Sequence, residues 1–313
     1  MSITKKTILV VIGLLLLYSG GLVVRRTVLR AQLQAVSGEL PFTLESALNF
    51  RRIEQVFYTG TMPDVDHAVE FPTGIEVRKT DTVGAEYVYA ILARLFPISV
   101  SLADRVRWIE VAWFCLGIPL MALWIWWWRR SVWGGAVAAG FYAVALSGVM
   151  RSTGQEVSHE NFALPILIGH LAVNALAARE QDRARRWVWT VLSAVLLAMA
   201  LATWDLVQFY VMLWMAVHLV RFVRAGAGER PEEKAQWAVH VGARMVIGLL
   251  HPYLPAWQSA VMMMSLLQNP DSGGTPAADI NPMSPLTAVD VISSPLPFII
   301  SISVEPKRRS SEA

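Results

Sequence analysis

Three short strings in this sequence gather carboxylates at spacings that could do chemistry. Glu45 leads the string E-S-A-L-N-F-R (Glu45–Arg51), Asp64 and Asp66 lie in Met62–Gly74, and Glu156, His159 and Glu160 lie in Arg151–Asn161. A hard divalent cation takes several oxygen ligands, and carboxylates from separate loops can converge on one. An ion held that way would offset the charge of a phosphate leaving group and act as a Lewis acid. An imidazole such as His159 is a ligand that Mn²⁺ accepts. Taken singly each string is ordinary, because Asp-x-Asp and Glu-x-x-x-Glu spacings arise by chance and a loop carboxylate is by default solvated. The single cysteine, Cys115, lies in an apolar run, so neither an intrachain disulfide nor a thiolate metal site can be built.

What must position these strings is legible in the composition. Of the 313 residues 55% are hydrophobic and 16% charged, with a mean hydropathy of +0.45. Soluble chains carry about 25% charged residues. Here the charges cluster between long uncharged runs, which excludes a soluble enzyme, a secreted disulfide scaffold and a disordered tail protein. The net charge of +3 does not point to nucleic acid, since the basic residues cap apolar runs as topology signals do. The composition predicts an all-α, polytopic transmembrane helix bundle. Its expected spans are Thr7–Val24, Trp108–Trp128, Val132–Met150, Phe162–Ala178, Trp187–Thr203 and Leu206–Val220. Ala235–Leu254, weakened by His240, Arg244 and His251, is the seventh. Lys5 and Lys6 precede the first run and Arg25 and Arg26 follow it, which fits a retained anchor rather than a cleaved signal.

Val83–Phe96 decides the topology. Glu86 and Arg94 would each cost roughly 2.5–3.5 kcal/mol at the centre of a span. Helical spacing puts Val88, Ile91, Leu92 and Leu95 on one side and Glu86, Ala90, Ala93 and Arg94 on the other. The segment therefore reads as an amphipathic helix, on the membrane surface or packed against the bundle, ended by Pro97. With this segment outside the count, Lys5/Lys6, Arg129–Arg130, Arg179–Arg186 and Arg221–Lys234 all fall on the cytoplasmic side, with Arg25, Arg26 and Arg30 as exceptions just outside. The N-terminus is then cytoplasmic. The long first loop (25–104) and Arg151–Asn161 are extracytoplasmic, so all three acidic strings share one face. The excess of arginine over lysine points to a prokaryotic source and an inner, plasma membrane. Trp124–Trp128 and Trp187–Trp189 read as interfacial anchors, and His170 and His218 as helix-packing residues.

On these strings the chain resembles the C-type (GT-C) membrane glycosyltransferases, and within them the catalytic subunit of oligosaccharyltransferase. That family places D-P-W-F-N-Y-R after its first span; Glu45 stands at the leading acid, and Asn49, Phe50 and Arg51 match N-Y-R. Asp66 ahead of Phe71-Pro72-Thr73-Gly74 resembles the family's Asp before Y-P-x-G. Val83–Phe96 resembles its external amphipathic helix. Arg151…Gly154…Ser158-His159-Glu160 resembles its second acidic motif, and Thr203-Trp204 a Ser/Thr-Trp pair. The likeness runs in consistent order from about residue 5 to 225. Ser158 stands where the second motif has Asp, Asp205 where the family has Gly, and nothing resembles the W-W-D-x-G acceptor domain.

The resemblance implies a polyprenyl- or dolichyl-(pyro)phosphate-linked sugar or oligosaccharide as donor, in the lipid bilayer, with a polypeptide as acceptor. It implies catalysis by Glu45 and Glu160 with a divalent metal, Mn²⁺ or Mg²⁺, held by Glu45, Glu156, His159 and Glu160. Arg151 would clamp the donor phosphate, and Asp66 would stabilise a turn. The alternative is an inactive relative that binds a lipid-linked glycan or acts as a membrane scaffold; a transporter is disfavoured by the few ionisable residues in the spans. Residues 1–255 form the expected membrane domain. From Ala256 the chain turns Pro/Gly/Ser-rich, and Val289–Val304 is too short to span and carries Pro295 and Pro297. The expectation there is a poorly structured or aberrant tail (256–313), as a truncated or frameshifted longer transferase, inactive alone on a peptide, would have.

Overall fold

A computed structural model of the chain describes residues 3–36 and 40–224, with short helical pieces at 239–240 and 242–243. The first helix, α1 (Ile3–Ala35), is followed by α2 (Leu44–Thr59), a two-stranded antiparallel hairpin of β1 (Val65–Asp66) and β2 (Ile75–Glu76), α3 (Val77–Thr80) and α4 (Gly84–Ala93). The remaining elements are α5 (Leu102–Cys115), α6 (Gly117–Arg129), α7 (Val132–Val144), α8 (Leu146–Arg151), α9 (His159–Ala177), α10 (Arg183–Thr203) and α11 (Val207–Arg224). The chain is an all-α bundle, as its composition predicts. Among the described residues four helices are long and apolar enough to cross a membrane: Ile8–Ala35, the nearly continuous Leu102–Arg129, His159–Ala177 and Arg183–Thr203. Val132–Val144 and Val207–Val217 are shorter apolar helices. The expected seventh span, apart from the pieces named above, and the whole tail from Ala256 lie outside the described residues.

Three elements depart from the sequence reading. The first expected span, Thr7–Val24, is part of a much longer helix that runs through Arg25, Arg26 and Arg30 to Ala35. No glycine or proline interrupts residues 22–35, and arginine is a good helix former. Arg25 is not a loop residue. It is fully buried, donates from Nε to Ser152 Oγ at 2.8 Å and from Nη1 to Ala143 O at 2.9 Å, and stacks over Phe114. At about 1.5 Å per residue α1 is roughly 50 Å long, more than the roughly 30 Å hydrocarbon core.

The expected single span Val132–Met150 is two helices. Ala145 has ψ 119, outside the helical range, and divides α7 from α8. Arg25 reaches across that break, bonding Ala143 on one side and Ser152 on the other.

The amphipathic segment is a helix, α4, and its polar side faces the protein. Ala85, Glu86, Tyr89, Ala90 and Ala93 are buried, while Ile91 and Leu95 are 57% and 77% exposed. Close approach drives this choice. A Cβ on Gly84 would stand 2.5 Å from Ala202 O, so α4 begins pressed against the end of α10, and Ala85, Ala90 and Ala93 keep much of its inner side small.

Apolar side chains gain little by leaving lipid for a helix interface, so close packing of small residues does more of the work inside the bundle. Gly135 of α7 lies against Ala122 of α6, where an added Cβ would meet the Ala122 carbonyl at 2.6 Å. Cys115, Ile118, Ala122, Ala139 and Ala143 form that core, with Leu14 and Leu17 of α1 packed on it. A second core joins α2, α4, α5, α9, α10 and α11 through Ile53, Tyr89, Val106, Phe162, Leu201 and Val211. Trp113 stacks on Phe162 at 4.5 Å and donates to its carbonyl at 2.9 Å. His170 ties three helices together, with Nδ1 2.9 Å from Ser193 Oγ and Nε2 3.0 Å from Tyr210 O–H.

The bundle has two chemically distinct ends. Arg179 donates to Trp128 O at 3.0 Å, so the α6–α7 turn with Arg129–Arg130 lies beside the α9–α10 turn with its basic cluster. The opposite end holds α2, α4, the 152–158 loop and the end of α10.

Candidate functional site

The first turn of α2 and the 153–158 loop are laced together. Thr43 N–H donates to Gln155 O at 3.0 Å. Ser46 Oγ donates to Glu156 Oε2 at 3.1 Å and accepts from Val157 N–H at 3.0 Å. Asn49 Nδ2 donates to Val157 O at 3.0 Å. The acid-led string and the second acidic string, more than a hundred residues apart, are therefore neighbours at one end of the bundle.

Arg107 fixes the surroundings. It is buried on α5, donates from Nε to Gly154 O at 2.9 Å and from Nη2 to Leu40 O, pairs with Asp104 at 3.0 Å, and lies over Phe42 at 4.5 Å. Gly154 has φ +65, and its Cβ position is filled by the Gln32 side chain of α1, so the loop conformation and the α1 contact both require glycine.

Glu45 is exposed in the first turn of α2, where a carboxylate suits the positive end of the helix dipole. Glu156 is half-buried and accepts the Ser46 hydroxyl. Ser158 is the N-cap of α9, accepting from Asn161 N–H. Glu160, in the first turn of α9, forms an ion pair with Arg151, whose side chain is 67% exposed. Asn161 Nδ2 donates to Arg151 O, which anchors the arginine's backbone to the same helix start.

His159 faces inward. Its Nε2 is 2.9 Å from Glu86 Oε1 and its Nδ1 is 3.5 Å from Asp81 Oδ1. Arg52 completes this buried group, 2.6 Å from Asp81 Oδ2 and 3.8 Å from Glu86 Oε1. One α2 arginine, one α4 carboxylate and the first residue of α9 thus lock three helices. Asp66 lies apart from the acidic end of α9. It accepts from Arg51 at 2.9 Å and from Ala68 N–H at 3.0 Å, closing the hairpin turn onto α2.

These donors do not fit a metal site as arranged. Both His159 nitrogens face carboxylates, Glu160 is paired with a guanidinium, and Glu156 holds the Ser46 hydroxyl. Among the described residues no group of three or more His, Cys, Asp or Glu side chains could hold a metal ion.

Sequence reasoning gave no site role to Arg52, Asp81, Glu86, Arg107 or Glu110. Glu110 is buried within the Leu102–Arg129 span and accepts the Tyr89 hydroxyl. A carboxylate inside an apolar run was itself a signal for it. Arg52 and Asp81 carried no signal, because only the fold brings them to His159.

No protein-family model and no curated protein matches the sequence. The fold has a solved counterpart. The archaeal oligosaccharyltransferase AglB from Archaeoglobus fulgidus, in complex with an inhibitory peptide and a dolichol-phosphate, matches with a TM-score of 0.70 at 16% identity, over 85% of this chain and 34% of that one. The chain is thus a membrane helix bundle with an oligosaccharyltransferase-like fold, spanning about a third of that enzyme's length.

Proposed function

We propose that this chain handles a polyprenyl- or dolichyl-(pyro)phosphate-linked sugar, as a membrane glycosyltransferase of the GT-C kind, at the bundle end formed by α2 and the 152–160 loop. The observation that supports it most is the Ser46–Glu156–Val157 lacing, which brings the Glu45 turn against the loop that leads to Arg151 and Glu160. The solved fold counterpart was bound to a dolichol-phosphate and a peptide, which supports a lipid-phosphate ligand and a polypeptide acceptor.

In this reading Arg151 leaves Glu160 and offers its fork of N–H donors to the donor phosphate, a geometry that suits two phosphate oxygens at once. Glu160 holds the guanidinium in place before the phosphate arrives. Glu45, exposed and unburdened by the fold, orients the acceptor amide or hydroxyl. A divalent ion, Mn²⁺ or Mg²⁺, belongs to the proposal as a competitor of Arg151 for Glu160. The active face is extracytoplasmic, because the Arg129–Arg130 and Arg179–Arg186 clusters occupy the other end.

The second reading is a non-catalytic relative that binds a lipid-linked glycan. A specific observation favours it: Ser158, at the motif's acidic position, serves as a helix cap, and Glu156, His159 and Glu160 are each engaged by protein partners. Incubating the reconstituted protein with a radiolabelled polyprenyl-pyrophosphate sugar and a peptide separates the two. Transfer lost in Glu45→Gln supports the enzyme; saturable donor binding without transfer supports the binder.

A further inference from the structure

At the end of the bundle opposite the proposed sugar-phosphate site, a cavity of about 390 Å³ opens between α1, α6 and α7. Its walls are apolar: Leu9, Gly13 and Leu17 on α1, Trp126 on α6, Val132 and Ala136 on α7. The helix surface around it faces outward, with Leu9 59%, Val132 60% and Val137 71% exposed, as suits a hydrocarbon surround.

The row that lines the cavity on α6, Ala122–Leu123–Trp126, continues at helical spacing into Arg129, and Arg130 follows as the left-handed cap that ends the helix. Both arginines are exposed and have no carboxylate within ion-pair distance among the described residues. Arg179 reaches the same turn through Trp128 O. The nearby acids are turned to backbone amides, Glu180 accepting from Asp182 N–H and Asp182 from Arg185 N–H. An apolar slot thus ends in an unneutralised basic turn, one helical turn beyond Trp126.

We propose that this slot binds an anionic phospholipid, with one acyl chain between α1, α6 and α7 and the phosphate at Arg129–Arg130. Charge complementarity selects the headgroup and the apolar walls select the chain. The slot lies at the wrong end to present a sugar phosphate to Glu45 and Arg151, so the occupant is a structural membrane lipid rather than the donor.

The test uses the full chain in phosphatidylcholine nanodiscs with spin-labelled phosphatidylglycerol or spin-labelled phosphatidylcholine as probe. The immobilised fraction should favour phosphatidylglycerol by about fivefold per engaged arginine at low salt. Arg129→Gln with Arg130→Gly should abolish the preference; glycine also relieves the positive φ of 54 at Arg130, so the turn is retained. Gly13→Leu should reduce immobilisation of both lipids, because nothing lies within 4 Å of a Cβ there and the side chain fills the slot. High salt on the unaltered protein should remove the preference without any mutation. A preference that survives both the arginine changes and salt, or immobilisation unchanged by Gly13→Leu, overturns the proposal.

Discussion

Ser46 and Glu156 share a hydrogen bond of 3.1 Å across 110 residues of sequence. The same hydroxyl accepts from Val157 N–H at 3.0 Å. A single small side chain on α2 therefore satisfies a buried backbone donor and orients a loop carboxylate, and the candidate site depends on that double contact.

Replacing Ser46 with alanine leaves the buried Val157 N–H unpaired. A buried donor without a partner costs about 1–3 kcal/mol. Ser46→Ala should lower the thermal transition of the purified protein, and Ser46→Thr, which keeps the hydroxyl, should recover most of that loss. Equal transitions for Ser46→Ala and the unaltered protein would contradict the lacing.

Glu86 and His159 meet at 2.9 Å inside the protein, with Arg52 3.8 Å from the same oxygen. Removing one partner of such a buried charged group strands the others, which typically costs about 3–5 kcal/mol. Glu86→Gln and His159→Gln should each destabilise strongly, and the double variant should cost much less than the sum. A double-mutant cycle by chemical denaturation measures this, and strict additivity would refute the coupling.

Much of the fold was legible because spans announce themselves. The ends of α9, α10 and α11 fall within a few residues of the apolar runs that marked them. The departures have local causes. Apolarity stops at Val24, but helix propensity does not, so α1 continues and Arg25 finds partners in two distant helices. The break at Ala145 has no glycine or proline to signal it; it is matched by Arg25, which no local pattern reveals. On α4 the two faces were readable, but which one packs inward was not, since that depends on Gly84 meeting Ala202. The candidate site was legible as three acidic strings. Their partners were not, because Arg52, Asp81 and Glu86 converge on His159 only in three dimensions.

The proposed orientation sets the two ends of the bundle on opposite sides of the membrane. In a Cys115→Ser background, single cysteines at Thr73 and at Arg130 should label from opposite sides of sealed vesicles, Thr73 from the extracytoplasmic side. Labelling of both from one side would sink the orientation and the location of the site.

Metal dependence separates Arg151 from an ion as the counter-charge. A ligand that binds the folded state at about 100 times its Kd adds about 2.7 kcal/mol of stability. Adding Mn²⁺ or chelating with EDTA should leave the thermal transition of the unaltered protein unchanged. In Arg151→Gln, where Glu160 is released, Mn²⁺ should begin to stabilise. Strong stabilisation of the unaltered protein, lost in Glu160→Gln, would restore the metal site.

The most direct measurement is saturable binding of a radiolabelled polyprenyl phosphate to the full chain in phosphatidylcholine nanodiscs. Binding is expected that Arg151→Gln weakens by about tenfold or more, the loss of one charge-assisted phosphate contact of about 1.5–3 kcal/mol, while the thermal transition stays within a few degrees. No saturable binding, or binding equal in the unaltered protein and in Arg151→Gln, would contradict it.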